Sequence, residues 1–421
     1  MAGIAVFTVG CKVNQAESEE LKMELLEGGH RICRDPAAAA ICVVNTCTVT
    51  AESDRKCRKL IRWLEKRGAG AILVAGCYAE VSPDDLKDLP GVARIVPNSR
   101  KGGWKEEIED LLRTADRAQV ELSEAPLRSR GFIKVQDGCE RGCSYCIVPR
   151  ARGRERSRPK EEVAAQTRKW LSRGVEEIVL CGVNLGRYRQ EGGYDLASLV
   201  RDVLATAGRF RVRLSSIEPE DLKKEWVEEW AAQSRVCPHL HLPLQSGDDA
   251  ILSDMGRGYS SADYMSAVDE TRSAWPQVAL TTEVIVAYPG ESIAAFERTV
   301  AVLRKVAPAR LHVFRFSPRP GTGAWEKKDG VAAEESERRS AVLRAMAEDW
   351  RTGYIEVHRG ERRELLVERI SERNGGRTAV GTTEDYIKGA LMRPPASTLP
   401  GKVVDVSICG LERGMAELKA I

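Results

Sequence analysis

Short runs of apolar, β-forming residues alternate with helical patterns along most of this chain, and that alternation restricts the folds open to it. Before residue 115 the predicted strands are residues 4–9, 41–44 and 71–75. Strands separated by helices pair in parallel, because each helix carries the chain back to the same end of the sheet. Residues 1–115 are therefore predicted to form an α/β domain built on a parallel sheet.

A second series of strand and helix patterns begins after residues 116–130, a charged, proline-containing stretch that is predicted to be a linker. Its predicted strands are residues 132–136, 178–181, 212–217, 239–244, 281–286 and 311–316. Six such units predict a partial parallel (β/α)6 barrel over residues 131–350, with functional groups at the C-terminal ends of the strands. Residues 358–421 are predicted to form a small β-barrel. Its predicted strands are residues 364–370, 378–382 and 402–408.

Three cysteines follow the first predicted strand of the partial barrel in a single short loop: Cys139, Cys143 and Cys146. Thiolates at this spacing can bind three irons of a [4Fe-4S] cluster and leave the fourth iron without a protein ligand. An open iron can bind and reduce a small molecule, whereas a four-cysteine cluster mainly carries electrons. The alternatives are a structural zinc site or three unrelated core cysteines. Zinc sites usually use paired CxxC or Cys/His sets, however, and His30 and His239 are far away in sequence.

Cys11, Cys47 and Cys77 each come directly after a predicted strand of the first domain. Because the C-terminal ends of parallel strands line one crevice, thiols about 30 residues apart can converge there. Each could instead be a buried small residue, since free cysteine is commonly buried. Their equivalent positions favour a second three-cysteine cluster. The cysteines that lack this pattern are interpreted as packing residues: Cys33, Cys42, Cys57, Cys181, Cys237 and Cys409.

The composition is that of a globular protein in a reducing compartment. The chain is 43% hydrophobic and 30% charged, and no apolar run approaches the roughly 20 residues of a membrane span. The first ten residues are predicted to be a strand and not a signal peptide. The twelve cysteines therefore indicate metal or catalytic use in the cytoplasm, not disulfides. A net charge of +3 restricts nucleic-acid binding to local basic patches.

Together these segments resemble the methylthiotransferases, radical S-adenosylmethionine (SAM) enzymes with two clusters. The most specific segments are Gly10-Cys-Lys-Val-Asn-Gln-Ala-Glu-Ser18, Val44-Asn-Thr-Cys-Thr-Val-Thr50, Ala75-Gly-Cys77 and Lys134-Val-Gln-Asp-Gly-Cys-Glu-Arg-Gly-Cys-Ser-Tyr-Cys-Ile-Val-Pro149. The resemblance covers nearly the whole chain and implies that the C-terminal barrel is an OB-like TRAM domain. It also implies that an auxiliary [4Fe-4S] cluster is held by Cys11, Cys47 and Cys77. The cluster that binds SAM is then held by Cys139, Cys143 and Cys146.

The reaction of this family replaces a carbon-bound hydrogen by a methylthio group, which side-chain acid–base chemistry does not easily achieve. The resemblance implies that one SAM yields a 5′-deoxyadenosyl radical and that a second SAM supplies the methyl group. Such chemistry needs a reducing electron donor, such as flavodoxin or ferredoxin, and a sulfide source. The Lys12-Val13 form of the first loop resembles the branch that modifies C2 of N6-threonylcarbamoyladenosine 37, beside the tRNA anticodon.

Three alternatives remain open. Other branches of the family methylthiolate N6-isopentenyladenosine 37 of tRNA or an aspartate of a ribosomal protein. A non-catalytic iron–sulfur electron carrier or sensor is the third alternative, and SAM would not perturb its clusters.

The residues expected to contact SAM or substrate lie in the cluster loop or directly after the predicted strands of the partial barrel. They are Tyr145, Gly182, Asn184, Ser216, Glu218, Gln245 and Ser246. Each could equally be a turn or capping residue. Ala287 and Tyr288 stand where the family usually shows Gly-Phe, a departure that is expected to reshape the SAM pocket slightly.

A basic stretch after the cluster loop is predicted to bind phosphates or bases of the tRNA anticodon stem-loop. Its candidate contacts are Arg150, Arg152, Arg154 and Arg158. The alternative is a solvated face neutralised by Glu155, Glu161 and Glu162.

Overall fold

The structure is a computed structural model that describes residues 2–114, 127–373, 376–412 and 414–421. Most of the predicted linker, residues 116–126, lies outside the described residues. The chain divides into two compact units, each discontinuous in sequence. The first unit comprises Met1–Leu127, Asp137–Arg156 and Ser317–Trp325. The second unit comprises Arg128–Gln136, Ser157–Phe316 and Glu326–Ile421.

The strands are β1 (Gly3–Thr8), β2 (Arg31–Ile32), β3 (Ile41–Thr46), β4 (Ala71–Gly76), β5 (Val92–Pro97), β6 (Gly131–Lys134), β7 (Gln136–Asp137), β8 (Arg156–Ser157), β9 (Glu177–Cys181), β10 (Arg211–Leu214), β11 (His239–His241), β12 (Ala279–Val286), β13 (Arg310–Arg315), β14 (Arg362–Arg373), β15 (Gly376–Thr383), β16 (Lys388–Met392), β17 (Val403–Glu412) and β18 (Met415–Ala420).

The α-helices are α1 (Lys12–Glu27), α2 (Ala51–Lys66), α3 (Cys77–Val81), α4 (Asp84–Lys87), α5 (Trp104–Thr114), α6 (Val148–Arg152), α7 (Lys160–Ser172), α8 (Leu196–Leu204), α9 (Lys224–Ala231), α10 (Asp249–Asp254), α11 (Ser261–Ala274), α12 (Ile293–Val306) and α13 (Ala333–Val357). None of the helices within the described residues is long and apolar enough to cross a membrane.

A five-stranded parallel sheet forms the core of the first unit, with the strand order β2-β1-β3-β4-β5. Its central strand β3 is buried along its whole length, which its apolar sequence requires. Cys57 and Ile61 of α2 pack on one face of the sheet. Leu21 and Leu25 of α1, together with Ile108 of α5, pack on the other face. The predicted parallel α/β sheet is therefore confirmed.

The second unit contains two three-stranded parallel sheets, ordered β10-β9-β6 and β11-β12-β13. Isolated parallel bridges pair Val212 with Val236 and Ser216 with His241, so the first sheet continues into the second. All six predicted strand positions are occupied by strands, although most bounds differ by one to three residues. This arrangement is the predicted open series of parallel strands with helices between them.

A closed five-stranded barrel, ordered β14-β15-β16-β18-β17, ends the chain. All neighbouring pairs are antiparallel except β16 and β18. Alternate residues such as Leu365, Val367, Leu391 and Leu418 point into a common core, as a small barrel requires. The predicted β-barrel is confirmed, and it contains β16 and β18 in addition to the three predicted strands.

The closed barrel packs against the first residues of the parallel strands of the second unit through buried charges. The Glu177 side chain, fully buried at the start of β9, pairs with Arg130 at 2.8 Å, Arg211 at 2.7 Å and Arg213 at 2.9 Å. Arg213 also donates to the carbonyl oxygens of Thr383 and Glu384 in the closed barrel, both at 2.9 Å.

An aromatic stack adds to this contact. The rings of His239 and Tyr386 lie parallel with their centroids 4.2 Å apart. The closed barrel and the parallel strands of the second unit are thus held together by both charge and stacking.

Candidate functional site

The first three cysteines lie at one edge of the parallel sheet. Cys11 immediately precedes α1, Cys47 directly follows β3, and Cys77 directly follows β4. Strands β1, β3 and β4 are neighbours in the sheet and run in the same direction. The three thiols therefore leave adjacent strand ends, as the sequence pattern predicted.

Close approach of the backbone explains two glycines at this edge. Gly10 has φ +125°, and a Cβ there would lie 2.7 Å from the Cys47 Cβ and 3.2 Å from its Sγ. Gly76 has φ +104°, and a Cβ there would lie 2.7 Å from the Asn45 Oδ1. Only glycine adopts such φ values easily and leaves room for the neighbouring loop.

The thiols influence each other electrostatically. Burial, together with smaller contributions from the charges of Cys11 and Cys77, raises the pKa of Cys47 to about 12. Burial also raises the pKa of Cys77, whereas the nearby Arg152 and Lys101 lower it. Buried thiolates are therefore costly here unless a positive group, such as iron, compensates them.

Three thiols are the donor type that iron–sulfur clusters use. Within the described ranges, no three His, Cys, Asp or Glu side chains are grouped closely enough to hold one metal ion. A [4Fe-4S] cluster places each cysteine sulfur on a different iron, so its ligands do not have to surround one point. Cys11, Cys47 and Cys77, which follow neighbouring strands of one parallel sheet, are compatible with such a cluster.

The loop with the other three cysteines also belongs to the first unit. Cys139, Cys143 and Cys146 are all partly exposed, and the Cys146 N–H donates to the Cys143 carbonyl at 3.0 Å. The Cys139 N–H donates to the Gly153 carbonyl at 3.1 Å, which closes the loop. Burial, followed by the charge of Cys143, raises the pKa of Cys139.

Gly138 is required at the start of this loop. It has φ +74°, and a Cβ there would lie 1.9 Å from the Arg154 carbonyl oxygen. Its N–H donates to the Asp137 Oδ1 at 2.9 Å. The sequence interpretation of this Asp-Gly pair as a loop-shaping element is consistent with this geometry.

A buried polar network that the sequence analysis did not identify lies beside both cysteine sets in the first unit. Its members are Asn14, Glu17, Asn45, Lys101, Asp137 and Arg152, each at most 7% exposed. A signal was present in the sequence. Asn14, Glu17, Leu21 and Leu25 share one helical face of α1, and polar residues on a core-facing stripe indicate buried partners.

Six predicted SAM or substrate contacts lie beyond the C-terminal ends of strands in the second unit. They are Gly182, Asn184, Ser216, Glu218, Gln245 and Ser246. The Asn184 N–H donates to the Gln136 Oε1 at 2.8 Å, and Gln245 adopts φ +66° while its Nε2 donates to Glu283 at 2.9 Å. A left-handed conformation in a non-glycine residue is often found at ligand sites.

Two others of the six also have partners within the fold. Glu218 forms an ion pair with Arg257, and the Ser246 hydroxyl lies 3.3 Å from the Thr299 hydroxyl. The seventh candidate, Tyr145, is partly buried in the cysteine loop of the first unit.

The predicted RNA contacts have very different environments. The Arg154 side chain is 92% exposed, Arg150 is exposed, and the Arg158 side chain is 17% exposed. The Arg152 side chain is only 2% exposed and is paired with Glu17 and Asp137. Arg152 therefore has no free surface for RNA in this structure, because its guanidinium is used inside the first unit.

Comparison with protein-family models matches two segments of the chain. Residues 133–303 match the radical SAM superfamily. Residues 3–97 match a family described as uncharacterized protein family UPF0004. The first match contains the Cys139 loop, and the second contains Cys11, Cys47 and Cys77.

Solved structures with a similar fold are radical SAM proteins. The radical SAM methyltransferase TsrM from Kitasatospora setae, solved with cobalamin and a [4Fe-4S] cluster, has a TM-score of 0.57 and 15% identity, covering 77% of each chain. The cobalamin-dependent radical SAM enzyme OxsB has a TM-score of 0.51 and 10% identity, covering 83% of this chain and 56% of that chain. These likenesses show the fold.

Several other proteins are much more similar to this chain in sequence than these solved structures are. The threonylcarbamoyladenosine tRNA methylthiotransferase MtaB of Thermotoga maritima is 39% identical over 87% of each chain. The MtaB of Bacillus subtilis is 31% identical over 97% of this chain and 94% of the relative. The tRNA-2-methylthio-N(6)-dimethylallyladenosine synthase of Endomicrobium trichonymphae is 31% identical over 90% of this chain and 94% of the relative. The chain therefore belongs to the radical SAM tRNA methylthiotransferase family, whose members carry two [4Fe-4S] clusters and use SAM.

Proposed function

We propose that the protein adds a methylthio group to C2 of N6-threonylcarbamoyladenosine at position 37 of tRNA. One SAM serves as the radical source and another as the methyl donor. The observation that carries this assignment is the 39% identity to a threonylcarbamoyladenosine tRNA methylthiotransferase over 87% of both chains. Further relatives with the same name, from Aquifex aeolicus and Chlamydia pneumoniae, are 32% and 35% identical.

The assignment of the ligands follows the two cysteine sets. In this proposal Cys11, Cys47 and Cys77 hold the auxiliary cluster. Cys139, Cys143 and Cys146 hold the cluster that binds SAM. When bound, such clusters supply an electron for SAM cleavage at one site and sulfur at the other.

The chain's own residues then bind and orient the substrates. We assign SAM or substrate binding to Tyr145, Gly182, Asn184, Ser216, Glu218, Gln245 and Ser246. Asn184 and Gln245 have the strongest support, because both lie at strand ends and are held in unusual or buried positions. We assign contacts with the anticodon stem-loop to Arg150, Arg154 and Arg158, the exposed or partly exposed members of the basic stretch.

The proposed domains are residues 1–115 with the auxiliary cluster, a linker at 116–130, a radical SAM core at 131–350 and a TRAM-like RNA-binding domain at 358–421. The proposed reaction takes place in the cytoplasm with tRNA. It also needs a reductant such as flavodoxin or ferredoxin and a source of sulfide.

Methylthiolation of N6-isopentenyladenosine 37 is the second candidate. It is favoured by the 31% identity to a dimethylallyladenosine synthase over 90% of this chain. That identity is lower than the 39% of the first relative, so we rank it second.

Nucleoside mass spectrometry on tRNA from a strain that lacks the gene, with and without the gene restored, tests the proposal. Loss and return of 2-methylthio-N6-threonylcarbamoyladenosine is expected. Restoration with Cys77→Ala should fail, whereas Cys33→Ala, which changes a buried cysteine of the same unit outside both sets, should succeed. Loss of 2-methylthio-isopentenyladenosine alone would favour the second candidate. No change in either nucleoside would refute both and direct attention to a ribosomal-protein aspartate.

A further inference from the structure

A single arginine connects the two cysteine-bearing segments of the first unit. Arg152 is the last residue of α6, which follows the Cys139 loop. Its Nη1 donates to the Asp137 Oδ1 at 2.9 Å, and Asp137 lies just before that loop. The same Nη1 donates to the Glu17 Oε1 at 3.0 Å, and Glu17 belongs to α1, the helix that begins after Cys11.

The second amino group of Arg152 extends the connection. Its Nη2 donates to the Asn14 Oδ1 at 2.9 Å and lies 3.4 Å from the Glu17 Oε2. Asn14 in turn accepts from the Cys11 thiol at 3.2 Å and donates to the Thr46 carbonyl at 2.8 Å, next to Cys47. One guanidinium is thus linked by hydrogen bonds to the neighbours of Cys11, Cys47 and the Cys139 loop.

A second buried cation holds the other side of Glu17. The Lys101 Nζ lies 2.5 Å from the Glu17 Oε2 and 2.7 Å from the Asn45 Oδ1. The Glu17 side chain is 6% exposed, so its two oxygens are fixed by Lys101 and Arg152 and not by water. Arg156 takes the remaining oxygen of Asp137 at 3.2 Å. The network therefore holds α1 and the cluster loop in one arrangement.

We propose that Arg152 is a positioning residue that fixes the Cys139, Cys143 and Cys146 loop relative to the Cys11, Cys47 and Cys77 edge. The inference rests on the proposed function, in which both sites act on one substrate carbon. A misplacement of about 1 Å can lower a reaction rate about a hundredfold. Arginine suits this role because its planar fork donates to several acceptors at once in a fixed geometry, which lysine cannot reproduce.

The expected consequence of losing Arg152 is uncoupling. Each cluster keeps its three cysteine ligands, so both clusters still assemble and SAM is still cleaved. The sulfur-bearing site and the radical-forming site are then no longer held in a fixed position relative to each other. Fewer methylthio groups are then transferred for each SAM that is cleaved.

The test compares wild type with Arg152→Met, Arg152→Lys and the charge-balanced double variant Arg152→Met/Glu17→Gln. The double variant guards against misfolding, because it removes one buried charge of each sign. Arg113→Met is the matched control, since the Arg113 side chain is 71% exposed on α5 of the same unit. The measurements are iron per chain, 5′-deoxyadenosine formed, and methylthio product on a synthetic threonylcarbamoylated anticodon stem-loop.

In the double variant we expect iron content and SAM cleavage within about twofold of wild type, with product per 5′-deoxyadenosine at least tenfold lower. The ratio of product to 5′-deoxyadenosine in Arg152→Lys should lie between those of the double variant and wild type. In Arg113→Met this ratio should equal that of wild type. An unchanged product ratio in the double variant would overturn the proposal. So would selective loss of about half of the iron, which would show that Arg152 serves cluster binding and not placement.

A measurement on the cluster-free protein separates this proposal from the proposed function. Hydrogen–deuterium exchange in residues 137–153 should rise in the double variant, while exchange in β3 and β4 stays at the wild-type level. If the wild-type protein makes no methylthio nucleoside on any tRNA, the proposed function is refuted but the role of Arg152 is not. Unchanged exchange in residues 137–153 would refute the anchoring role of Arg152 whatever the activity shows.

Discussion

Replacing Glu177 by glutamine removes the charge at the centre of the buried cluster between the parallel strands and the closed barrel. The substitution keeps the size of the side chain but leaves three arginines around a neutral amide. Arg130 retains Glu368 at 2.7 Å, and Arg211 retains Glu364 at 3.5 Å. Arg213, 1% exposed, keeps the carbonyls of Thr383 and Glu384 as partners, and these carry no full charge.

The expected loss of unfolding free energy is about 3–5 kcal/mol, the cost of removing one partner from a buried ion pair. Burial alone would raise the pKa of Glu177, but Arg213, Arg130 and Arg211 together hold it well below its usual range. The stabilisation from this carboxylate is therefore complete above the unfolded-state pKa of about 4.3. It disappears only as the pH falls through the lower folded-state pKa.

Urea unfolding followed by circular dichroism measures the effect. With a slope of about 3 kcal/mol per M, the Glu177→Gln midpoint should fall by about 1–1.7 M. Glu225→Gln, at an exposed position of α9 in the same unit, should shift it by less than about 0.2 M. A midpoint shift for Glu177→Gln as small as that of the control would refute the reasoning. So would a shift that 0.5 M salt abolishes, because salt strongly screens only ion pairs at the surface.

Three further substitutions have specific expected outcomes. Burial and the charge of Asp385 raise the pKa of Glu384 to about 7, so stability should fall as pH rises from about 4.5 to 7. Glu384→Gln should remove that fall and raise the free energy of unfolding at pH 8 by up to about 3 kcal/mol, which urea unfolding measures. Ala287→Gly should raise stability by about 1 kcal/mol, because Ala287 adopts φ +62°; an unchanged midpoint would contradict this. Gly138→Ala should lose about half of the bound iron, because its Cβ would lie 1.9 Å from the Arg154 oxygen; full iron content would contradict the required close approach.

Strand periodicity predicted most of the fold, because buried parallel strands are short apolar runs that differ clearly from their surroundings. Two strands of the closed barrel were missed. β16 spans Lys388–Met392 and β18 spans Met415–Ala420, and both are short with few large apolar residues facing the core. The start of helix α1 at Lys12 carries no clear sequence signal, because Cys11 precedes it without a capping hydrogen bond that would mark the boundary.

The positions of the cysteines in the fold could be predicted from sequence, because each follows a predicted strand or lies within one loop. The network around Arg152 could not. Arg152 and Glu17 are 135 positions apart, and Lys101 and Glu17 are 84 positions apart. A local pattern shows that Arg152 lies in a basic stretch, but only the tertiary fold shows that it is buried while Arg154 is exposed.

The three separate stretches of the first unit also determine when it can be completed during synthesis. Its last stretch, Ser317–Trp325, is made about 190 residues after Met1–Leu127. Arg319 in that stretch contacts Asp54 at 2.7 Å and Thr48 at 2.5 Å, beside Cys47. At about 5–20 residues per second, the ribosome needs about 10–40 s to cover that interval. For that interval the parallel sheet exists without the Arg319 contacts beside Cys47, so the first unit reaches its full set of contacts only after residues 317–325 have left the ribosome.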